Sequence, residues 1–229
     1  GTPTLPRNGR HQSRRGGAQA KGGRVPNVTA IVEPLGPGFS AGKGWATKLI
    51  RNALYVPETS VEEALAALDR AGKAAMDEGN ALHEAIDAYP KDGTVSEDPM
   101  FVKWHTDMWR VPFVATELFV FSQEHQYGGT IDSFSEGPFT DGSYLWDWKT
   151  VDRESWDKYG SKLRIDKDSA QIAAYAHALH EMGSIYDPTE ARIGYVLRDG
   201  SEVVVETIDL ARGWRLFEAC LALYKAQRA

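Results

Sequence analysis

Asp132, Asp147 and Lys149 are charges set inside apolar runs, Gly128-Gly-Thr-Ile-Asp-Ser-Phe134 and Leu145-Trp-Asp-Trp-Lys-Thr150. A buried charge is costly unless it is paired or bound to a metal. Three of them in two neighbouring segments therefore point to chemistry rather than to folding alone. Two carboxylates suit a hard divalent cation such as Mg²⁺, which takes oxygen ligands and keeps several waters. A lysine two residues past the second acid can hold or deprotonate an attacking water, and the combination hydrolyses phosphodiesters. The plain alternative is a pair of hairpin acids at a strand end, with Lys149 as the salt-bridge partner of Asp147.

Strands must position these groups. Residues i and i+2 of a strand share a face, so Leu145, Asp147 and Lys149 point one way and Trp146 and Trp148 the other. Tyr127 to Phe134 alternates similarly, with Thr130 and Asp132 opposite Ile131. Pro138 and Asp141-Gly142 in the intervening stretch are turn signals. A hairpin turned there brings Asp132 near Asp147.

Asp132, a gap, and Asp147-x-Lys149 resemble the signature of the PD-(D/E)XK nuclease superfamily. Gly129-Thr-Ile-Asp132 is similar to the G-x-x-D form of its RecB-type branch. Gly79-Asn-Ala-Leu-His83-Glu84 resembles the branch's helical G-x-x-x-H-E motif, and Gln171-Ile-Ala-Ala-Tyr175 its Q-x-x-x-Y motif. Pro26-Asn-Val-Thr-Ala-Ile31 resembles the opening of phage-encoded RecB-like exonucleases. The matches run in the family's order from about residue 25 to about residue 200. A departure is the cysteine count. The chain has one, Cys220, so the four-cysteine iron-sulfur cluster of some relatives is not expected.

The resemblance implies an α/β fold with a restriction-endonuclease-like αβββαβ core, a mixed central sheet and an added N-terminal helical region. It implies Mg²⁺ or Mn²⁺ held by His83, Asp132 and Asp147, with the carbonyl of Trp148 as a further ligand and Glu117 either as another, directly or through water, or as the partner of a lysine. Lys149 is then the group on the attacking water, and Glu84 pairs with a cation or orients His83. Gln171 and Tyr175, one helical turn apart, support the site or contact DNA, or pack helix on sheet. Lys158, Lys162, Arg164 and Lys167, interleaved with Trp156 and Tyr159, suit a single-stranded nucleic acid groove, or a solvated loop. The implied activity is metal-dependent hydrolysis of linear DNA, at ends or single strands, by an exonuclease of recombination, repair or phage genome processing. A recombination partner or self-assembly would supply processivity, because no G-x-x-x-x-G-K-[ST] loop is present. The residues leave polarity, and exonuclease against endonuclease, open.

Two rival readings stand beside this one. A non-catalytic DNA-binding or assembly protein could keep the nuclease fold, but both acids and the lysine are present. A zinc hydrolase could use His83 with His105, or His177-x-x-His180, but these lack the H-E-x-x-H arrangement.

Composition fits one domain over 25–229, mainly helical to about 111 and carrying the catalytic sheet from 112. The 229 residues are 42% hydrophobic and include seven tryptophans, enough for a substantial core. The net charge of −6 hides an asymmetry. Residues 1–24 hold six Lys or Arg and no acid, leaving −12 on the remainder. The basic, Gly- and Arg-rich segment reads as a flexible tail, or as a contact for phosphates. No apolar run is long enough to span a bilayer and no signal peptide opens the chain, which starts at Gly. The expectation is a processed or truncated N terminus and a cytoplasmic protein without membrane partners.

Periodicity places helices over Ser40–Tyr55, from a Ser60-Val-Glu-Glu63 capping box to about Ala88 with a break near Gly79, over Pro99–Arg110, over Asp168–Met182 and over about Leu210–Gln227. Strands are expected at Phe113–Ser122 and at the two site segments. A hairpin of Ala191–Leu197 with Glu202–Ile208 turns at Asp199-Gly200.

Overall fold

A computed structural model describes residues 19–20, 23–36, 52, 56, 60–136, 142–186 and 188–228. The helix expected over Ser40–Tyr55 falls, apart from Asn52, outside them, as does most of the turn between the two site strands. Gln19–Ala20 and Gly23–Arg24 pair as a two-residue antiparallel ladder, so the end of the expected tail carries local order. Asn27 then caps a short helix, α1 (Val28–Ile31), by accepting from Thr29 N. Gly128 N donates to Pro26 O at 3.1 Å. Pro26-Asn27 thus pins the start of the domain beside the strand that carries Asp132, while Val28, Ile31 and Val32 enter the core.

The long helix α2 (Val61–Asp92) starts at the capping box seen in the sequence, with Ser60 and Glu63 bonded reciprocally. It runs through Gly79 without a break. A methyl group at Gly79 would stand 3.3 Å from Thr150 Oγ1, so the glycine is explained by close approach of helix to strand. Helix α3 (Pro99–Met108) is capped by Asp98 and ends two residues before the expected Arg110.

Five strands form one mixed sheet: β1 (Phe113–Ser122), β2 (Tyr127–Ser135), β3 (Tyr144–Val151), β4 (Glu190–Leu197) and β5 (Val203–Ile208). They lie in sequence order, with only β3 and β4 parallel. Two helices, α4 (Arg153–Tyr159) and α5 (Ile165–Glu181), make the crossover that a parallel pair requires. The sequence pattern predicts no helix at α4 and places the start of α5 three residues later than observed. Helix α6 (Leu210–Ala226) packs on α5, close enough that a Cβ at Gly213 would stand 2.5 Å from Ser169 O.

The expected α/β architecture, a mixed sheet flanked by helices, is present. One core lies between the sheet and α5, α6 and α1. It holds Leu145, Ile193, Tyr195 and Phe217. The other lies under α2 and α3 and holds Trp104, Phe101, Trp146 and Trp148. Cys220 is a buried free thiol. Among the described residues, no helix is long and apolar enough to cross a membrane.

Candidate metal centre

The ladder between β2 and β3 is short: Ser133, Phe134 and Ser135 pair with Trp146, Leu145 and Tyr144, and pairing stops there. Past that point a side chain replaces the backbone. Asp132 Oδ2 accepts the Trp148 N–H at 2.7 Å. Buried N–H groups need acceptors, so the carboxylate holds the strands together where they part. Its other oxygen lies 3.2 Å from His83 Nδ1 on α2.

Glu117 completes a cluster with these two. One ligand atom each from His83, Glu117 and Asp132 lie within 4.8 Å of one another. Glu117 sits in mid-strand with φ 49°, in the left-handed region that residues other than glycine rarely adopt. Such strain concentrates at functional sites, and here it turns a strand residue toward α2. One residue earlier, Thr116 Oγ1 donates to Asp87 Oδ1 at 2.6 Å. Asp87 lies one turn beyond His83, so this bond staples α2 to β1 beside the cluster. Oxygen ligands about 2.1 Å from Mg²⁺ lie at most about 4.2 Å apart. The three donors therefore fit a small divalent cation after slight contraction, and an imidazole with carboxylates also accommodates Mn²⁺.

Asp147 and Lys149 stand beside this cluster, on the face of β3 turned to α5. They form a salt bridge through Asp147 Oδ2. Gln171 Nε2 donates to Asp147 Oδ1 at 3.2 Å and lies 3.0 Å from the Tyr175 hydroxyl. The turn of helix that places Gln171 and Tyr175 on one side therefore delivers both to Asp147. Tyr175 also explains the glycine of Gly129-Thr-Ile-Asp132. A Cβ at Gly129 would lie 2.4 Å from the tyrosine ring, so only glycine lets that ring cross β2.

Burial opposes ionisation of Asp132, but the charge of His83, a hydrogen bond to it, the Lys149 ammonium and the Trp148 N–H together hold its carboxyl below the usual range. Asp147 goes the other way. Burial, with repulsion from Asp132 and Asp168, outweighs Lys149 and pushes it up to about 7. Burial favours the neutral amine of Lys149, but Asp147, Asp168 and Asp132 surround it and hold the ammonium above its ordinary range. Burial raises the Tyr175 hydroxyl, with Asp147 adding to the effect.

The remaining expected residues separate. Glu84 is exposed on α2. Lys158 and Lys162 are exposed, with the Lys158 ammonium 4.9 Å from the Tyr159 ring centre. Arg164 turns inward, its Nη1 donating to Thr150 O at 3.4 Å. Trp156 packs on Tyr195 at 5.1 Å, so that ring belongs to the core and not to an open stacking surface. His105 stands against Tyr89 at 4.5 Å, and His177 stacks on Trp214 at 3.9 Å. Neither joins a ligand set among the described residues, where the His83 cluster is the one group of three. Sequence reasoning missed Asp168, a second buried acid facing Lys149. Its signal was its place one turn ahead of Gln171 on the same helix face.

No family model matches the chain, and no curated protein matches it. Among solved structures it is similar to one described as "Crystal structure of SSO0001", at 15% identity, with 90% of this chain and 79% of that chain covered and a TM-score of 0.39. A likeness that loose carries no argument about the site.

Proposed function

We propose that this chain is a Mg²⁺- or Mn²⁺-dependent deoxyribonuclease of the PD-(D/E)XK superfamily, similar to its RecB-type branch, acting as an exonuclease on linear DNA. One observation carries the reading: a cation-sized donor set of His83, Glu117 and Asp132 stands next to a buried Asp147 paired with the half-buried Lys149. The pathway that fits is recombination, repair or phage genome processing in the cytoplasm.

Each residue has a role in this reading. His83, Glu117 and Asp132 would hold the ion, with ionised Asp147 and the Trp148 carbonyl as further candidate ligands. When bound, the ion would supply a more acidic water and neutralise charge on the scissile phosphate. Lys149 stays protonated among its carboxylates, which supports holding the attacking water or a phosphate oxygen over deprotonating it. Gln171 orients Asp147, and Tyr175 orients Gln171. Lys158 and Lys162 are free to meet the DNA backbone from the crossover.

The test is cleavage of end-labelled linear DNA and of closed circular DNA with Mg²⁺ or Mn²⁺, comparing wild type with Asp132→Ala and Lys149→Ala. Metal-dependent loss of linear DNA only, abolished in both variants, is the expected result. Cut circles would make the enzyme an endonuclease. DNA binding with no cleavage would replace the proposal with a binding protein that keeps the fold.

A further inference from the structure

Asp147 and Asp168 are the two buried carboxylates among the described residues, at 1% and 4% exposure, and Lys149 lies in the field of both. Asp168 has entered so far only through its charge on Asp147 and Lys149. It sits on α5 three residues before Gln171 and seven before Tyr175, on the face turned to the sheet. Its Oδ2 accepts from the Tyr195 hydroxyl at 3.0 Å. Tyr195 is the register partner of Lys149 across the parallel β3–β4 pair. Thus α5 presents Gln171 to Asp147 and, one turn earlier, a fixed carboxylate on the side of Lys149.

This arrangement resolves a conflict at Asp147. Its Oδ2 is bound by Lys149 and its Oδ1 by Gln171. To ligate an ion through Oδ2, Asp147 must release the ammonium, and a half-buried ammonium on the face that packs against α5 gains from a second carboxylate there. We propose that Asp168, fixed by Tyr195, is a positioning residue for Lys149 that takes over its ammonium when Asp147 turns to a divalent ion. The inference rests on the nuclease reading of the site. The charged and titratable groups around Lys149 are Asp147 on its own strand, Asp132 on β2, and Asp168 and Tyr175 on α5. Burial raises the Asp168 carboxyl, and Lys149, Arg164, the Tyr195 hydroxyl and Lys167 oppose it; Arg164, at the start of α5, is the rival explanation for a buried acid there.

The test compares Asp168→Asn, Asp168→Glu, Tyr195→Phe and Arg164→Gln in the full chain with saturating Mg²⁺. One readout is kcat, KM and the pH profile on end-labelled linear DNA. The other is the rate at which an amine-acylating reagent labels Lys149 at alkaline pH, followed by peptide mass spectrometry. For Asp168→Asn the expected results are a kcat about tenfold lower, a KM within about twofold, a basic limb about one pH unit lower and Lys149 labelling about tenfold faster, one unit of proton affinity being a factor of ten. Tyr195→Phe should move each in the same direction by less, Asp168→Glu should restore kcat, and Arg164→Gln should leave Lys149 labelling unchanged. Unchanged labelling in Asp168→Asn, or the same changes in Arg164→Gln, would overturn the proposal. A wild type that cleaves no DNA would instead remove the nuclease reading, and the labelling would still decide the role of Asp168.

Discussion

Along β3, residues 145, 147 and 149 face α5 while 144, 146 and 148 face α2 and α3, and the two sets have little chemistry in common. The first carries an acid and a lysine that need partners: each other, Gln171 and the field of Asp168. The second is an aromatic stack. Trp146 and Trp148 lie parallel at 5.1 Å, Trp104 meets Trp148 edge-on at 5.7 Å, and the Arg192 guanidinium stands 3.5 Å from the Tyr144 ring centre. The indole N–H groups of Trp146 and Trp148 donate to Ser135 and Ser133. The difference teaches a division of labour. The aromatic face fixes the strand in place, and the charged face can then hold groups whose packing alone would not keep them there.

Substitutions on the two faces should part in what they damage. The largest effect is expected from Lys149→Ala, which should lower DNA cleavage about 10³-fold while thermal unfolding changes little. A comparable loss of fold would erase the distinction. On the other face, Trp148→Ala removes a fully buried ring and should cost about 3–5 kcal/mol in denaturant unfolding. The molecules that still fold should keep binding Mn²⁺.

Asp147→Asn should sharpen the contrast further, because it trades activity for stability. Asp147 keeps its proton in the folded chain up to about pH 7 but loses it near pH 4 when unfolded. Metal-free stability from this group therefore falls as pH rises from about 4 to about 7. The asparagine variant should flatten that slope and gain roughly 2 kcal/mol at pH 8, with no cleavage. Denaturant midpoints across pH check it, and an unchanged slope would mean that Asp147 ionises freely. The smallest change is Ser133→Ala, which strands the Trp148 indole N–H at a cost of about 1 kcal/mol and should leave the rate per folded molecule intact.

Much of the fold was legible, because local rules govern it. The alternation of Leu145 to Lys149 assigned both faces of β3, and the Ser60–Glu63 box marked the start of α2. The hairpin at Asp199-Gly200 followed from turn chemistry. The errors arose where tertiary contact overrides local preference. Gly79 reads as a helix break but is a point of close packing, and Trp156 reads as a stacking platform but belongs to the core. At the site, the spacing of Asp132, Asp147 and Lys149 marked the strands, and the Gln171–Tyr175 turn marked the supporting helix. The resemblance already names His83 and Glu117 as ligands beside Asp132; what needs three-dimensional information is how they meet, because that depends on a backbone angle at Glu117 and on the Thr116–Asp87 bond. Asp168 leaves only the faint signal of its place ahead of Gln171, because the β3–β4 register is what sets Tyr195 opposite Lys149.

The bond from the Trp148 amide to Asp132 has a consequence of another kind. Where other residues of a sheet report only on their neighbours' backbones, this amide reports on a carboxylate. Its exchange with solvent hydrogen is thereby tied to whatever else that carboxylate holds. Any ion bound at this cluster would then show in the protection of a single peptide group, where it can be read with no substrate present.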